Sequence, residues 1–134
     1  MSKYIQCPCF SKALYHKCCQ PYHEGAPVPD ALILMRSRFS AYALDLPDYI
    51  IKTTAPENAN YQSNCDQWRS ELHQFSSVTR FAGLQILQFV GADKDASVTF
   101  CASLFQGDKN ISFTEKSTFS KASGSWLYKA GEIE

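Results

Sequence analysis

Four of the six cysteines lie within thirteen residues near the start of the chain, as a C-x-C pair followed, after eight residues, by a C-C pair. A tetrahedral zinc site needs four ligands that converge at about 2.3 Å from one ion, and a tight C-x-C turn facing a C-C pair can supply them from one short segment. Four sulfur ligands leave no position for water, so such an ion is structural rather than catalytic. We therefore predict one zinc ion, and its ligands are Cys7, Cys9, Cys18 and Cys19.

Disulfides are the main alternative for this segment, which we call the knot (residues 7–19), because six is an even number of cysteines. Vicinal Cys18 and Cys19 pair poorly with each other, and no apolar run typical of a secretory signal follows Met1. We therefore expect a cytoplasmic protein, and a reducing cytoplasm favours metal over disulfides. His16 is an alternative ligand in place of Cys19, because imidazole is an equally good zinc donor.

The composition is that of one ordinary domain. The chain has 134 residues, of which 45% are hydrophobic and 13% aromatic, which is enough for a core. Thirteen acidic residues balance thirteen basic ones, so nothing global favours nucleic acid or an anionic membrane as a partner. Lys12, His16 and Lys17 make the knot locally basic, which leaves nucleic-acid binding as a minor alternative. No apolar run reaches the roughly 18 residues of a membrane-spanning helix.

The first half of the chain after the knot reads as a linker followed by helices. Residues 20–29 contain three prolines and one glycine, which predicts an irregular tether. Apolar residues then recur at spacings of three and four, which indicates helices with one buried face. The predicted helices span residues 30–46, 47–52 and 63–75, and their start signals are Asp30 as an N-cap, Pro47, and a capping box of Ser63 and Asp66.

From about Arg80 onwards the hydrophobic period changes from helical to alternating. Turn-rich segments with glycine, asparagine and aspartate separate the alternating runs. Helices followed by an antiparallel meander predict an α+β domain in which the helices cover one face of a curved sheet. The predicted strands span residues 82–90, 98–104, 111–120 and 125–130.

The knot resembles the SEC-C motif, the zinc-binding element known from the C-terminus of the preprotein translocase ATPase. The usual form of that motif is C-P-C-G-S-G followed by a run that ends in C-C or C-H. The spacing matches in full, but Phe10 and Lys12 stand where the motif usually has glycine. This departure predicts a different backbone path between the two ligand pairs.

Two further stretches extend the resemblance over nearly the whole chain. M-R-S-R-F-S-A-Y at residues 35–42 and D-Y-I-I-K-T-T at 48–54 look like the YchJ family of small bacterial proteins, as do the closing strands around Phe113 and Trp126. The resemblance implies a SEC-C knot joined to a cone-shaped domain similar to nuclear transport factor 2. It implies a fold and a metal, but no established reaction. The domains it suggests are the knot and tether (1–29) and the cone domain (30–134).

A cone fold encloses a pocket, and one carboxylate is predicted to face it. Glu115 shares a strand face with Ile111, Phe113 and Phe119. Desolvation there favours the protonated acid unless a cation meets it, which is how a general acid or base near neutral pH is made. Residues two apart on a helix point about 200° away from each other, so only one of Arg36 and Arg38 can face inward. Arg36, beside the apolar stripe of Leu32, Met35 and Phe39, is the expected partner.

A buried glutamate and arginine on facing elements are more often an ion pair that fixes helix against sheet than an active site. Cys65 and Cys101 have no neighbouring base, and His23 and His73 have no evident partner in the sequence. We therefore expect an accessory protein whose knot docks onto a protein partner and whose cone domain binds a small molecule or partner. The alternatives are an isomerase or hydratase that uses Glu115, and a nucleic-acid binder.

Overall fold

The computed structural model describes residues 5–134. The knot contains one short 3₁₀ turn at Tyr15–Lys17, and four helices and five strands follow it. The helices are α1 (Gln20–His23), α2 (Ala31–Ala43), α3 (Pro47–Lys52) and α4 (Cys65–Val78), and the strands are β1 (Arg80–Val90), β2 (Asp95–Gln106), β3 (Lys109–Asn110), β4 (Phe113–Ala122) and β5 (Ser125–Ile133).

The strands form one antiparallel sheet in the order β1-β2-β4-β5, with the short β3 also paired to β2. Along the central strand β2, every second side chain from Ala96 to Leu104 is buried, as the alternating pattern predicts. The register shifts twice between β1 and β2 and once between β4 and β5. Such irregularities bend the strands, so the sheet curves toward the helices.

The predicted third strand, residues 111–120, begins two residues late as β4, and Ile111 and Ser112 separate it from β3, which forms in the predicted turn. The Ser112 hydroxyl accepts a hydrogen bond from the backbone N–H of Leu104 at 3.0 Å. A side chain therefore takes the place of a backbone partner at this point, and the regular ladder resumes at Phe113. Serine commonly competes with the backbone in this way.

Helix α2 is the element around which the other elements pack. Asp30 caps it as predicted, because its carboxylate accepts from the N–H of Ile33 at 2.8 Å. None of its residues is exposed, since the sheet, α3 and the knot cover it on different sides. The main core lies between α2 and the sheet, and its most deeply buried members are Ala31, Leu34, Val98, Ala102 and Phe119.

Helices α3 and α4 complete the helical layer. The chain leaving α3 runs beside β5. The backbone N–H of Tyr128 donates to the Thr53 carbonyl, and the Tyr128 carbonyl accepts from the N–H of Ala55, both at 2.8 Å. Helix α4 begins two residues later than predicted, because Asn64 caps it by accepting from the N–H of Gln67 at 3.1 Å. Within residues 5–134, no helix is both long and apolar enough to cross a membrane.

The tether, residues 20–29, is less irregular than the sequence predicts. Residues 20–23 form α1, with Pro21 in its first turn. A first-turn N–H has no helical partner, so proline costs nothing there. The prediction of no regular structure is therefore wrong for α1, and α1 packs directly against α2.

Candidate functional site

The four knot cysteines bring their sulfur atoms together in a compact group. All four Sγ atoms lie within 4.8 Å of one another, with Cys9 and Cys18 at 3.6 Å and Cys18 and Cys19 at 3.9 Å. A tetrahedral site with zinc–sulfur bonds of about 2.3 Å separates its sulfurs by about 3.8 Å. A disulfide needs about 2.0 Å, and the six cysteines are free thiols. The donor set fits one zinc ion, and His16 is not part of it.

The knot closes as a small hairpin-like loop. The N–H of Cys7 donates to the Ala13 carbonyl at 2.8 Å, and the N–H of Tyr15 donates to the Ile5 carbonyl at 2.9 Å. Phe10 and Lys12 have φ angles of +62° and +74°, in the left-handed region that favours glycine. The backbone therefore uses a glycine-type conformation at both positions although glycine is absent.

Hydrogen bonds among the thiols make them chemically unequal. Donation from Cys19 and Cys7 lowers the pKa of the Cys9 thiol. The hydrogen bonds that Cys19 makes with Cys7 and Cys9 raise the pKa of Cys19 itself. Because zinc binds thiolates, metal binding here must release protons, including those of Cys7 and Cys19, whose pKa values are both raised.

The knot is fixed to α2 by polar contacts. Arg36 donates from Nη1 to the Cys9 carbonyl at 3.0 Å and lies 4.0 Å from the Cys9 sulfur. His23 Nε2 donates to the Ser37 carbonyl at 2.8 Å, so Nδ1 accepts from the Tyr15 hydroxyl at 2.7 Å. Burial lowers the pKa of His23 and raises that of Tyr15 to about 12. His23, which had no evident partner in the sequence, thus links the knot to the helix.

A cavity of about 330 Å³ lies between α2, α4 and the sheet. Its walls are mainly apolar, and phenylalanine side chains from five elements dominate them. The structure places Tyr42 and Tyr128 on its lining, whereas Tyr49 bonds Ser37 at 2.7 Å beneath α2. The aromatic side chains of the wall include Phe39, Phe75, Phe81, Phe100, Phe113 and Phe119.

Glu115 lies at the polar end of the cavity, on the strand face that the alternation predicts. Its Oε2 accepts from the Ser117 hydroxyl and from the Tyr128 hydroxyl at 3.2 Å. Burial raises the pKa of Tyr128, with the Glu115 charge adding to the effect, so Tyr128 stays protonated as the donor. Gly131 makes room for this pair, because a Cβ there would lie 2.5 Å from both side chains.

The expected partner of Glu115 is wrong: Arg38, not Arg36, lines the cavity. The two arginines do point in opposite directions, as the helical spacing requires, but Arg36 points to the knot. Arg38 Nη1 donates to the Ile50 carbonyl and to the hydroxyls of Thr53 and Thr54, at 2.8–3.1 Å. Burial lowers the pKa of Arg38, and among the neighbouring groups that oppose this shift Glu115 has the smallest effect.

A signal for Arg38 is present in the sequence. Ala31, Leu34, Met35 and Ala41 follow the spacing of one helix face, and Arg38 lies in the middle of that face. The larger side chains of the neighbouring stripe, such as Leu32 and Phe39, instead favour Arg36 as the inward residue. The other reactive residues lie away from both sites: Cys65 is exposed, Cys101 faces away from the cavity, and His73 bonds Asp45 at 2.5 Å.

Comparisons with known proteins agree with this geometry. A family model described as "YchJ, middle NTF2-like domain" matches residues 30–131. The UPF0225 protein YchJ of Shigella dysenteriae is 36% identical over 128 residues, which cover 93% of this chain and 81% of that protein.

Solved structures of SEC-C motif proteins share both the knot and the fold. The protein from Rhodopseudomonas palustris has a TM-score of 0.81 and 31% identity, with 97% of this chain and 99% of that one covered. The protein from Psychrobacter arcticus has a TM-score of 0.80 and 30% identity, with 100% and 86% covered. The predicted fold is confirmed: N-terminal helices pack on a curved antiparallel sheet of the nuclear transport factor 2 type, after a cysteine knot.

Proposed function

The chain belongs to the YchJ family, as the knot and the M-R-S-R helix indicated, and from this premise we propose that it is a zinc-stabilised, small-molecule-binding accessory protein. The spacing of the four sulfur atoms carries the metal part of the proposal. Zinc serves here as a structural crosslink, because four sulfurs leave it no open position. Arg36 offsets part of the negative charge that thiolate ligands bring. Six cysteines without a disulfide are typical of a protein from a reducing compartment, so we propose that the protein is cytoplasmic.

The metal test is elemental analysis of protein purified without added zinc. We expect about one equivalent of zinc, and a loss of most of it in Cys18→Ser. Cys65→Ser is the matched control, because Cys65 is an exposed thiol away from the knot. Less than about half an equivalent in a protein with intact free thiols would overturn the zinc assignment.

The cavity supports the ligand-binding part of the proposal. It is lined mainly by apolar side chains and has Arg38, Glu115 and Ser117 among its polar lining residues. An apolar pocket with a few convergent polar groups is the usual form of a small-molecule site, and about 330 Å³ is at the small end of the range.

Indole, a small neutral aromatic probe, tests the cavity itself. We expect backbone amide shifts in NMR spectra to change around the cavity as indole is added. Ala102→Leu should abolish these changes because Ala102 lines the cavity, while Thr99→Leu, on the opposite face of the same strand, should not. The absence of shifts at millimolar indole would contradict ligand binding.

Acid–base catalysis of the isomerase or hydratase type is a second candidate, favoured by the orientation of Glu115. Ser117 and Tyr128 hold its carboxylate at the edge of an apolar space, where a substrate proton would be within its reach. A panel of ketones and unsaturated acids in D₂O, followed by NMR, tests it. Deuterium incorporation that Glu115→Gln removes would support catalysis, and its absence across the panel would argue for binding alone.

Docking of a protein partner through the knot stays a prediction. Phe10 in the knot is exposed, with 43% of its surface accessible, and Lys12 and Lys17 of the knot are exposed as well. If this face binds a partner, Phe10→Ser should weaken capture of that partner without releasing zinc. Binding to nucleic acid would instead weaken steeply with added salt, and a flat titration at low salt would exclude it.

A further inference from the structure

The polar end of the cavity contains one cation and one anion that do not touch each other, and we propose that it binds a hydrophobic zwitterion, of which an aromatic α-amino acid is the simplest example. Arg38 would take the carboxylate and Glu115 the ammonium group. This inference rests on the proposed ligand-binding function and names the ligand class for that same cavity.

Arg38 is a buried cation with unused donors. Only 8% of its surface is accessible, and it lines the cavity. Its three hydrogen bonds all come from Nη1, while Nε and Nη2 have no acceptor among residues 5–134. Neutral oxygens satisfy Nη1, and no carboxylate of the described chain forms an ion pair with the guanidinium. Buried charges are normally paired, so an anionic group of a ligand is the missing partner.

Glu115 is the complementary group. Two hydroxyls donate to its Oε2, while Oε1 has no partner in the part of the chain that the structure describes and is available to a ligand. The Tyr128 ring separates the two charges: Arg38 Cζ lies 4.6 Å from its centroid, and its hydroxyl lies 3.2 Å from Glu115 Oε2. A ligand that bridges them needs a negative acceptor at one side and a positive donor a few ångströms away.

Charge balance selects a zwitterion over simpler molecules. The cavity is neutral with Arg38 charged and Glu115 ionised, so a lone carboxylic acid would leave Glu115 unpaired and a lone amine would leave Arg38 unpaired. Each unpaired charge carries a desolvation cost that a partner offsets. The remaining walls are aromatic and aliphatic, which fits a single apolar ring attached to the charged end.

Four probes that share one phenyl ring test the inference on the zinc-loaded full chain: L-phenylalanine, 3-phenylpropionate, 2-phenylethylamine and 2-phenylethanol. Affinities are measured by NMR titration. We expect L-phenylalanine to bind at least about tenfold more tightly than each of the other three. Glu115→Gln should remove that advantage without weakening 3-phenylpropionate, whose binding should tighten because no unpaired carboxylate is left beside it. Arg38→Met should weaken both carboxylates, and if it does not fold, Glu115→Gln alone decides the result.

The outcomes separate the ligand class from the ligand-binding function. Equal binding of 2-phenylethanol and L-phenylalanine, or tighter binding of 3-phenylpropionate, would overturn the zwitterion and leave ligand binding intact. An unchanged advantage of L-phenylalanine in Glu115→Gln would also overturn it. If neither these probes nor indole shifts the cavity residues, both the inference and the proposed function are wrong.

Discussion

Lys12 occupies a backbone conformation that suits glycine better than lysine. Its φ of +74° costs an L-residue about 1–2 kcal/mol, and its side chain is exposed, so no packing compensates. We predict that the free energy of unfolding is about 1–2 kcal/mol higher for Lys12→Gly than for Lys12→Val. A β-branched residue tolerates the left-handed backbone region least. Urea unfolding of the zinc-loaded protein measures the difference.

Lys17 provides the matched control, since it is exposed and lies in the 3₁₀ turn of the same knot without a positive φ. Lys17→Gly should therefore not be more stable than Lys17→Val, because glycine relieves no backbone strain there and only adds conformational freedom to the unfolded chain. Equal stability of the two Lys12 variants would mean that the strain at this position is absorbed elsewhere.

Gly131 marks the tightest packing in the polar end of the cavity. A Cβ there would lie 2.5 Å from the Glu115 carboxyl and from the Tyr128 hydroxyl. We predict that Gly131→Ala separates this pair and costs about 1–3 kcal/mol of unfolding free energy. In a double-mutant cycle with Glu115→Ala most of the penalty should disappear, because the colliding carboxyl is gone.

The control for that prediction is Gly83→Ala. The new methyl group would meet Ser103 at 3.4 Å, which is ordinary contact, so stability should change little. A penalty for Gly131→Ala that persists in the Glu115→Ala background would show that the Tyr128 hydroxyl or the strand backbone, not Glu115, sets the limit.

At the scale of elements, α1 and α2 are joined through a buried, neutral histidine. Burial lowers the pKa of His23, so the unfolded chain binds a proton more readily than the folded one. Stability contributed by neutral His23 is therefore complete above the ordinary histidine pKa of about 6.5 and is lost as the pH falls below it. We predict that the unfolding free energy drops between pH 7 and pH 5.5.

The His23→Gln variant isolates that histidine. It should be less stable at pH 7, by about 1–3 kcal/mol, because the links to Tyr15 and Ser37 are weakened. Its pH dependence over the same range should be flatter than that of the natural protein, at saturating zinc in both. Parallel curves would assign the pH dependence to the knot thiols rather than to His23.

Most elements follow from local patterns in the sequence, and the exceptions have physical causes. The Asp30 cap, the strand alternation and the proline at the start of α3 are local signals that the fold retains. Helix α1 was missed because four residues cannot form a stable helix alone, and only docking onto α2 supports it. The orientation of Arg38 was missed because α2 is covered on all sides, so one apolar stripe does not define its inner face.

For the sites, spacing alone was sufficient to gather the sulfur atoms, because all four come from one short loop. The cavity was less accessible to sequence reasoning. Its polar end combines α2, β4 and β5, and the Tyr128 contact with Glu115 depends on a register shift between the last two strands. Such tertiary pairings have no local signal.

At the scale of the whole molecule, the knot is in direct contact with the cone domain and is not merely joined to it by a loose linker. Arg36 and His23 join the knot to α2. Phe10 packs against Phe39 with the ring centroids 6.2 Å apart, and Phe39 also lines the cavity. The same helix therefore contacts the metal centre on one side and the ligand cavity on the other. Loss of zinc should loosen the cavity as well as the knot.

Removal of residues 1–29 tests how far the cone domain depends on that contact. We predict that the 30–134 fragment folds, because its main core lies between α2 and the sheet, but with a lower melting temperature than the full chain. In the fragment Phe39 and the Ser37–Ser40 face of α2 become accessible. Indole binding should weaken because Phe39, which lines the cavity, loses its contact with Phe10. Calorimetry and the indole titration measure both effects, and chelation of zinc from the full chain should shift both in the same direction. A fragment that is unfolded would show that the knot is part of one cooperative unit, whereas an unchanged melting temperature would show that it contributes nothing to the cone domain.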